Sequence, residues 1–64
     1  MEDLKKLGEQ IIFLASEFEE QHNLNIQQGN KAAGRRARKA TLEIGKLLKD
    51  YRKLSVINEK LEGA

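Results

Sequence analysis

Between Ala33 and Leu54 the apolar residues fall at 33, 37, 40, 44, 47, 51 and 54, in alternating steps of three and four. That spacing draws one apolar line along an α-helix and rules out a strand, whose faces alternate with period two. At about 100° per residue, the same helix gathers Lys31, Arg35, Arg38, Lys39, Lys46, Lys49 and Lys53 opposite Ala37, Ile44, Leu47 and Tyr51. One face therefore needs a partner helix, and the other needs anions. Residues 29–54 hold nine of the twelve Lys and Arg residues against two acids, a local charge of +7 in a chain whose total is +2. Residues 1–28 carry two lysines and six acids, net −4, and residues 55–64 one lysine and two acids, net −1. It is the clustering, more than the total, that an anionic partner feels.

A chain of 64 residues makes one small domain, in a size range where a single core supplies little stability. It has no Cys, hence no disulfide or thiolate site, and no Pro to interrupt long helices. The longest apolar run, Ile11 to Ala15, is far short of the ~20 residues that span a bilayer. The opening Met-Glu-Asp-Leu-Lys-Lys lacks the pattern of a signal peptide. The expected location is cytoplasmic, with no membrane partner.

Glu2 and Asp3 open a first helix at the end where acids oppose the macrodipole, and Leu4, Leu7, Ile11, Leu14 and Phe18 repeat the three–four spacing. Gly8 inside it costs about 1 kcal/mol relative to Ala, and its missing side chain invites a neighbouring backbone to come close. Gly29 followed by Asn30 supplies a helix stop and the next helix's N-cap. The expectation is one domain, 1–64, all-α: helix one over 2–28, a turn at 29–30 and helix two over 31–62, in an antiparallel hairpin. An end near Asn23 with a longer loop is the alternative. Folding at Gly29 pairs positions whose numbers sum to about 59, with Ala33, Ala37 and Ala40 allowing close approach near the turn. Tyr51, at a seam position, is expected in the core with its hydroxyl at the edge. His22 near the end of helix one reads as a packing or helix-end charge partner, since one His without Cys assembles no zinc site.

Ile12, Phe13 and Leu42 fall away from the seam, and Val56, Ile57 and Leu61 lie where helix two outruns helix one and have little to pack on. Two helices form one layer against another with no enclosed core, so these residues are expected at an oligomer interface. A homodimer forming a four-helix bundle is the simplest assembly, and a higher oligomer is the alternative.

Enzyme signals are absent: there is no Gly-rich phosphate loop, no nucleophile elbow and no metal-ligand cluster. Glu17, Glu19 and Glu20 read as a solvated face, and no cofactor or small-molecule substrate is implied. Glu43 and Asp50 cannot neutralise the nine cations around them, so the basic face points to a polyanion. Nucleic acid fits because its backbone repeats negative charge, about one per 1.7 Å of duplex axis. Arg35, Arg36, Arg38 and Lys39 sit just inside the amino end of helix two. Asn30, Lys31 and the free N–H groups there add an anion-seeking terminus, and Ala32, Ala33, Gly34 and Ala37 are expected to keep that end thin for approach to a phosphate backbone. Asn or Gln interleaved with Arg for base reading is lacking, and aromatics for stacking on single strands are few. Phosphate-led binding of duplex with weak sequence preference follows, through Lys31, Arg35, Arg36, Arg38, Lys39, Lys46, Lys49 and Lys53.

Gly29-Asn30-Lys31-Ala32-Ala33-Gly34, Arg36-Ala37-Arg38-Lys39-Ala40 and Tyr51-Arg52-Lys53-Leu54-Ser55 resemble the conserved segment of the chlamydial-type, linker-histone-like bacterial proteins, a family found also in Bacteroidetes. The resemblance covers 29–60, with helix one similar in length and character. It implies non-specific DNA binding and nucleoid condensation, carried here by Lys31, Arg35, Arg36, Arg38 and Lys39. The chlamydial proteins continue into a long Lys/Ala-rich tail where this sequence stops at Gly63-Ala64, so a tail-less member is expected, binding weakly or bridging through its oligomer. Two other readings fit the residues: a helical module docking an acidic partner protein, and a basic amphipathic helix lying on anionic lipid.

Overall fold

The computed structural model describes residues 2–63, leaving Met1 and Ala64 outside the described residues. Two α-helices make up the fold: α1, Glu2–Gln28, and α2, Lys31–Gly63. They double back on each other into a rod 51 Å long and 14 × 13 Å across.

The reversal rests on two residues. Gly29 takes φ 65°, a left-handed conformation that costs glycine nothing and other residues dearly. Asn30 then caps α2: its Oδ1 accepts the Ala33 N–H at 3.0 Å, and its carbonyl accepts the Gly34 N–H at 3.2 Å. Back toward α1, the Asn30 N–H donates to the Leu24 carbonyl at 3.5 Å, and the Asn25 Nδ2 donates to the Asn30 carbonyl at 3.0 Å. A helix start leaves amides without intrahelical partners, and here the Asn30 side chain satisfies one of them.

Two contacts fix the register. The Tyr51 ring edge, Cε2, lies 3.6 Å from where a Gly8 Cβ would stand, and the Asn25 amide lies against Gly34. Both pairs sum to 59, the register that folding at Gly29 predicts. Close approach near the turn comes from small residues: Ala33, at 0 % exposure, with Gly34, Ala37 and Ala40, all buried against α1. This corrects the expectation that Ala33, Gly34 and Ala37 thin the helix for a nucleic-acid backbone, because they are spent on helix–helix contact. Asn30 is likewise committed to capping.

Beyond these alanines only Leu7 joins the buried hydrophobic set, and no large side chain is fully buried among the described residues. Leu4, Ile11, Leu14, Phe18, Ile44, Leu47 and Leu54 are half-buried. Tyr51 lies at the exposed edge of the seam rather than in a core. A ring, not a backbone, uses the space Gly8 leaves. His22 stacks on Phe18, with ring centroids 5.5 Å apart and planes 12° from parallel. At 33 residues against 27, α2 outruns α1 at the open end. Ile12, Phe13, Leu42, Val56, Ile57 and Leu61 are all exposed.

The rod has two unlike sides. Grooves line one side: the seam residues Leu14 and Gln21, with Glu17, face Arg36, Lys39 and Glu43 of α2, and farther along Asp3 and Gln10 face Asp50 and Lys53. Apart from Leu14 and Gln21, these residues stand one position before a seam residue. In an antiparallel pair, residues one position after the seam on both helices fall on the opposite side. Those include Gly8, Ile12 and Ala15 of α1 and Thr41, Gly45 and Leu48 of α2.

Candidate nucleic-acid interface

The basic face belongs to α2 alone. Lys31, Arg35, Arg36, Arg38, Lys39, Lys46, Lys49 and Lys53 are all exposed. Behind them, toward α1, lie buried Ala37 and half-buried Ile44 and Leu47, which hold the face outward. A three–four apolar seam forces this arrangement, because any helix that buries the seam turns its opposite side to solvent.

Within the face the cations are ordered. Lys39, Lys46 and Lys53 recur every seven residues, and Lys60, also exposed, continues the row. Seven residues rise about 10.5 Å, and a seven-residue repeat keeps a straight course along a supercoiled pair. Four ammonium groups thus stand in a line about 32 Å long. Lys60 was missed by a reading that stopped at Leu54, although its signal was on view: it is the next seven-step after Lys53. Arg35 and Lys49 lie beside this row, with Lys31 and Arg38 on the next row over. Arg52, also exposed, borders an open surface with Lys53, Val56 and Ile57.

Arg36 stands apart. Its Nε donates to Gln21 Oε1 at 2.8 Å across the helix pair, in the side groove that it lines with Lys39, Glu17 and Glu43. That bond goes to a neutral amide. Among the described residues no side-chain hydrogen bond involves a carboxylate.

One apolar residue interrupts the face. Leu42 is 70 % exposed, and helical spacing sets Arg38, Lys39 and Lys46 beside it, with Lys49 two turns further along the same face. Among the described residues no group of three His, Cys, Asp or Glu side chains could hold a metal ion, and no helix is long and apolar enough to cross a membrane.

No curated protein and no solved structure matches the chain. The family model for histone H1-like protein Hc1 does, over residues 1–61. The match takes in α1 as well as the basic α2, where the quoted motifs alone reached only 29–60. With nearly its whole length under that match and a basic helix face turned to solvent, the chain belongs to the histone H1-like protein Hc1 family, whose partner is DNA.

Proposed function

We propose that the chain is a nucleoid-associated architectural protein that binds duplex DNA without sequence specificity, through phosphate contacts from the outward face of α2. The observation that carries this reading is the row Lys39, Lys46, Lys53 and Lys60, exposed and free of carboxylate hydrogen bonds, flanked by Lys31, Arg35, Arg38 and Lys49. A line of ammonium groups about 32 Å long is close to one turn of B-DNA, roughly 34 Å. It can therefore follow a phosphate backbone or cross a groove. Lysine offers point charges without the bidentate geometry that reads guanine, so the contacts neutralise charge and carry no sequence.

Function also calls for more than one copy. A hairpin with no large side chain fully buried among the described residues gains from doubling into a four-helix bundle, in which Ile12, Phe13, Val56, Ile57 and Leu61 are exposed apolar groups available to the contact, while Leu42 stands among the cations of the outward face. A homodimer carrying two basic helices can hold two duplex segments and so bridge or condense DNA.

The test is a mobility-shift titration of a random duplex at several salt concentrations. Four phosphate contacts make log K fall by about 3.6 per log unit of salt. Replacing Arg35, Arg38, Lys39 and Lys46 by Gln should weaken every duplex sequence alike and flatten that slope. A salt-independent affinity would sink the proposal. So would an absence of duplex binding alongside capture of an acidic protein that survives nuclease.

A further inference from the structure

Leu42 lies nearly opposite the apolar seam of α2, at the crest of the basic face, where it is 70 % exposed. Between Lys31 and Lys53 it is the only large apolar residue on that face. The cations are balanced about it. Arg38, Arg35 and Lys31 stand four, seven and eleven residues before it, and Lys46, Lys49 and Lys53 stand four, seven and eleven residues after it. Helix geometry sets these pairs about 6, 10.5 and 16.5 Å to either side, each within about 40° of the line through Leu42. Lys39 adds a seventh cation on one side alone. The leucine also stands proud of its neighbours. Gly45, three residues on, has no side chain, and a Cβ built there meets nothing within 4 Å. Thr41 turns its hydroxyl back, donating to the Arg38 carbonyl at 2.6 Å. The acids Glu43 and Asp50 lie to the side, in the grooves that they line.

We infer that Leu42 is a wedge that enters the minor groove of duplex DNA and partly unstacks one base step, so that the protein bends the duplex it binds. This rests on the phosphate-led binding proposed above and adds the point at which the helix meets the bases. Charge sets the occupant. A duplex seated on the paired cations brings phosphates to both sides of Leu42, and the crest of the face is the place of closest approach. An apolar side chain pressed on a phosphate would strip water from a charge and return nothing. Between two backbones it meets base edges instead. A base step has one backbone on each side, related by the local two-fold of the duplex, and the cations have that same symmetry about Leu42. In the major groove, about 12 Å wide, the whole helix would enter and turn Arg35, Lys49 and Lys53 toward bases. The minor groove, about 6 Å wide, admits the leucine and leaves those cations on the flanking phosphates. An apolar side chain driven in there parts the stacked bases and kinks the duplex. Pyrimidine–purine steps yield most readily, and the guanine amino group obstructs the minor-groove floor, so a TA step is the favoured seat.

The test uses the full chain and a short duplex with one central TA step, which carries 2-aminopurine at that step and a donor–acceptor dye pair at its ends. Binding of the wild type should raise the 2-aminopurine fluorescence, as the probe loses its stacking neighbour. It should also bring the ends together as for a bend of about 20° or more. Leu42→Ala, with helix content checked by circular dichroism, should lose both signals and keep the salt slope. Its affinity should change by less than about fivefold, because the cost of unstacking disappears along with the contact that offsets it. Leu42→Met should retain both signals. A wild-type complex with a straight, fully stacked duplex would overturn the wedge and leave phosphate-led binding standing. A Leu42→Ala complex that bends and unstacks the duplex as the wild type does would have the same consequence. A salt slope that falls in Leu42→Ala also counts against the wedge, since the leucine would then act by holding the cations in place. A wild type that binds no duplex at low salt overturns the wedge together with the reading beneath it.

Discussion

Tyr51 lays the Cε2 edge of its ring over Gly8, 3.6 Å from where a β-carbon would stand. At ordinary van der Waals distance, that space admits a methyl group. Glycine inside a helix costs about 1 kcal/mol against alanine, and here no left-handed backbone requires it, since the positive φ recorded for glycine is at Gly29. Gly8→Ala should therefore stabilise the hairpin by about 0.5–1 kcal/mol, read as a rise in the urea midpoint. A lower midpoint would mean that the ring sits closer than this geometry gives.

Gly34→Ala should move stability the other way. Its β-carbon would fall 2.7 Å from Asn25 Nδ2 and 3.1 Å from Asn25 Cγ, which forces the amide to shift. That amide donates to the Asn30 carbonyl at the turn, so the bond and the local fit are lost together. The expected cost is about 1–3 kcal/mol. Asn25→Ala made together with Gly34→Ala should recover part of it, and additive costs in the double mutant would refute the clash.

Much of this architecture was legible because a few residues encode it without ambiguity. The three–four spacing from Leu4 to Phe18 and from Ala33 to Leu54 declares two helices, and Gly29-Asn30 declares the stop, the cap and, through the turn, the 59-sum register that Tyr51 and Asn25 display. Less legible was what small residues are for. Ala33, Gly34 and Ala37 look alike in sequence whether they admit a phosphate backbone or a neighbouring helix, and only packing shows that α1 takes them. The place of Tyr51 was misjudged for a related reason. With only two helices, a seam residue opposite a glycine finds a ledge, not an interior. For the basic face, residue type and period revealed the lysines. They did not reveal that Arg36 leans sideways onto Gln21, because that choice depends on which side-groove residue comes opposite.

Removing the cap should be as damaging as adding the methyl group at Gly34. Asn30 Oδ1 satisfies the Ala33 N–H at the start of α2, and Ala33 is 0 % exposed, so water cannot replace the lost acceptor. Asn30→Ala should cost about 1–2 kcal/mol. Asn30→Asp should cost less than Asn30→Ala, since a carboxylate also caps. Thermal melts of the two variants would decide it, and equal losses would show that the bond contributes little.

Arg36 and Lys39 make a pair of tests for how the basic face meets DNA. Both are exposed and both line the side groove, but Arg36 is engaged with Gln21 at 2.8 Å, whereas Lys39 belongs to the seven-residue row and donates no side-chain hydrogen bond among the described residues. Lys39→Gln should lower the salt slope by about 0.9, and Arg36→Gln should change it by much less. Equal slopes for the two variants would show that the Gln21 bond does not keep Arg36 from the phosphates.

Leu42 offers the sharpest test of which way the basic face looks. It is 70 % exposed amid Arg38, Lys39, Lys46 and Lys49, so a nucleic acid lying on that face covers it. Leu42→Lys adds a fifth cation to the neighbourhood. Like charges three and four residues apart weaken an isolated helix by about 0.2–0.5 kcal/mol per pair, so the variant should melt slightly earlier. Its duplex affinity at low salt should nonetheless rise, and its salt slope should steepen by about 0.9 for one more phosphate contact. If instead a second copy of the chain covers Leu42, burying an unpaired ammonium there should dissociate the assembly. Affinity and sedimented mass measured on one preparation therefore give opposite answers for the two environments. A monomeric Leu42→Lys variant with weakened duplex binding would remove DNA from this face and return Leu42 to the protein contact.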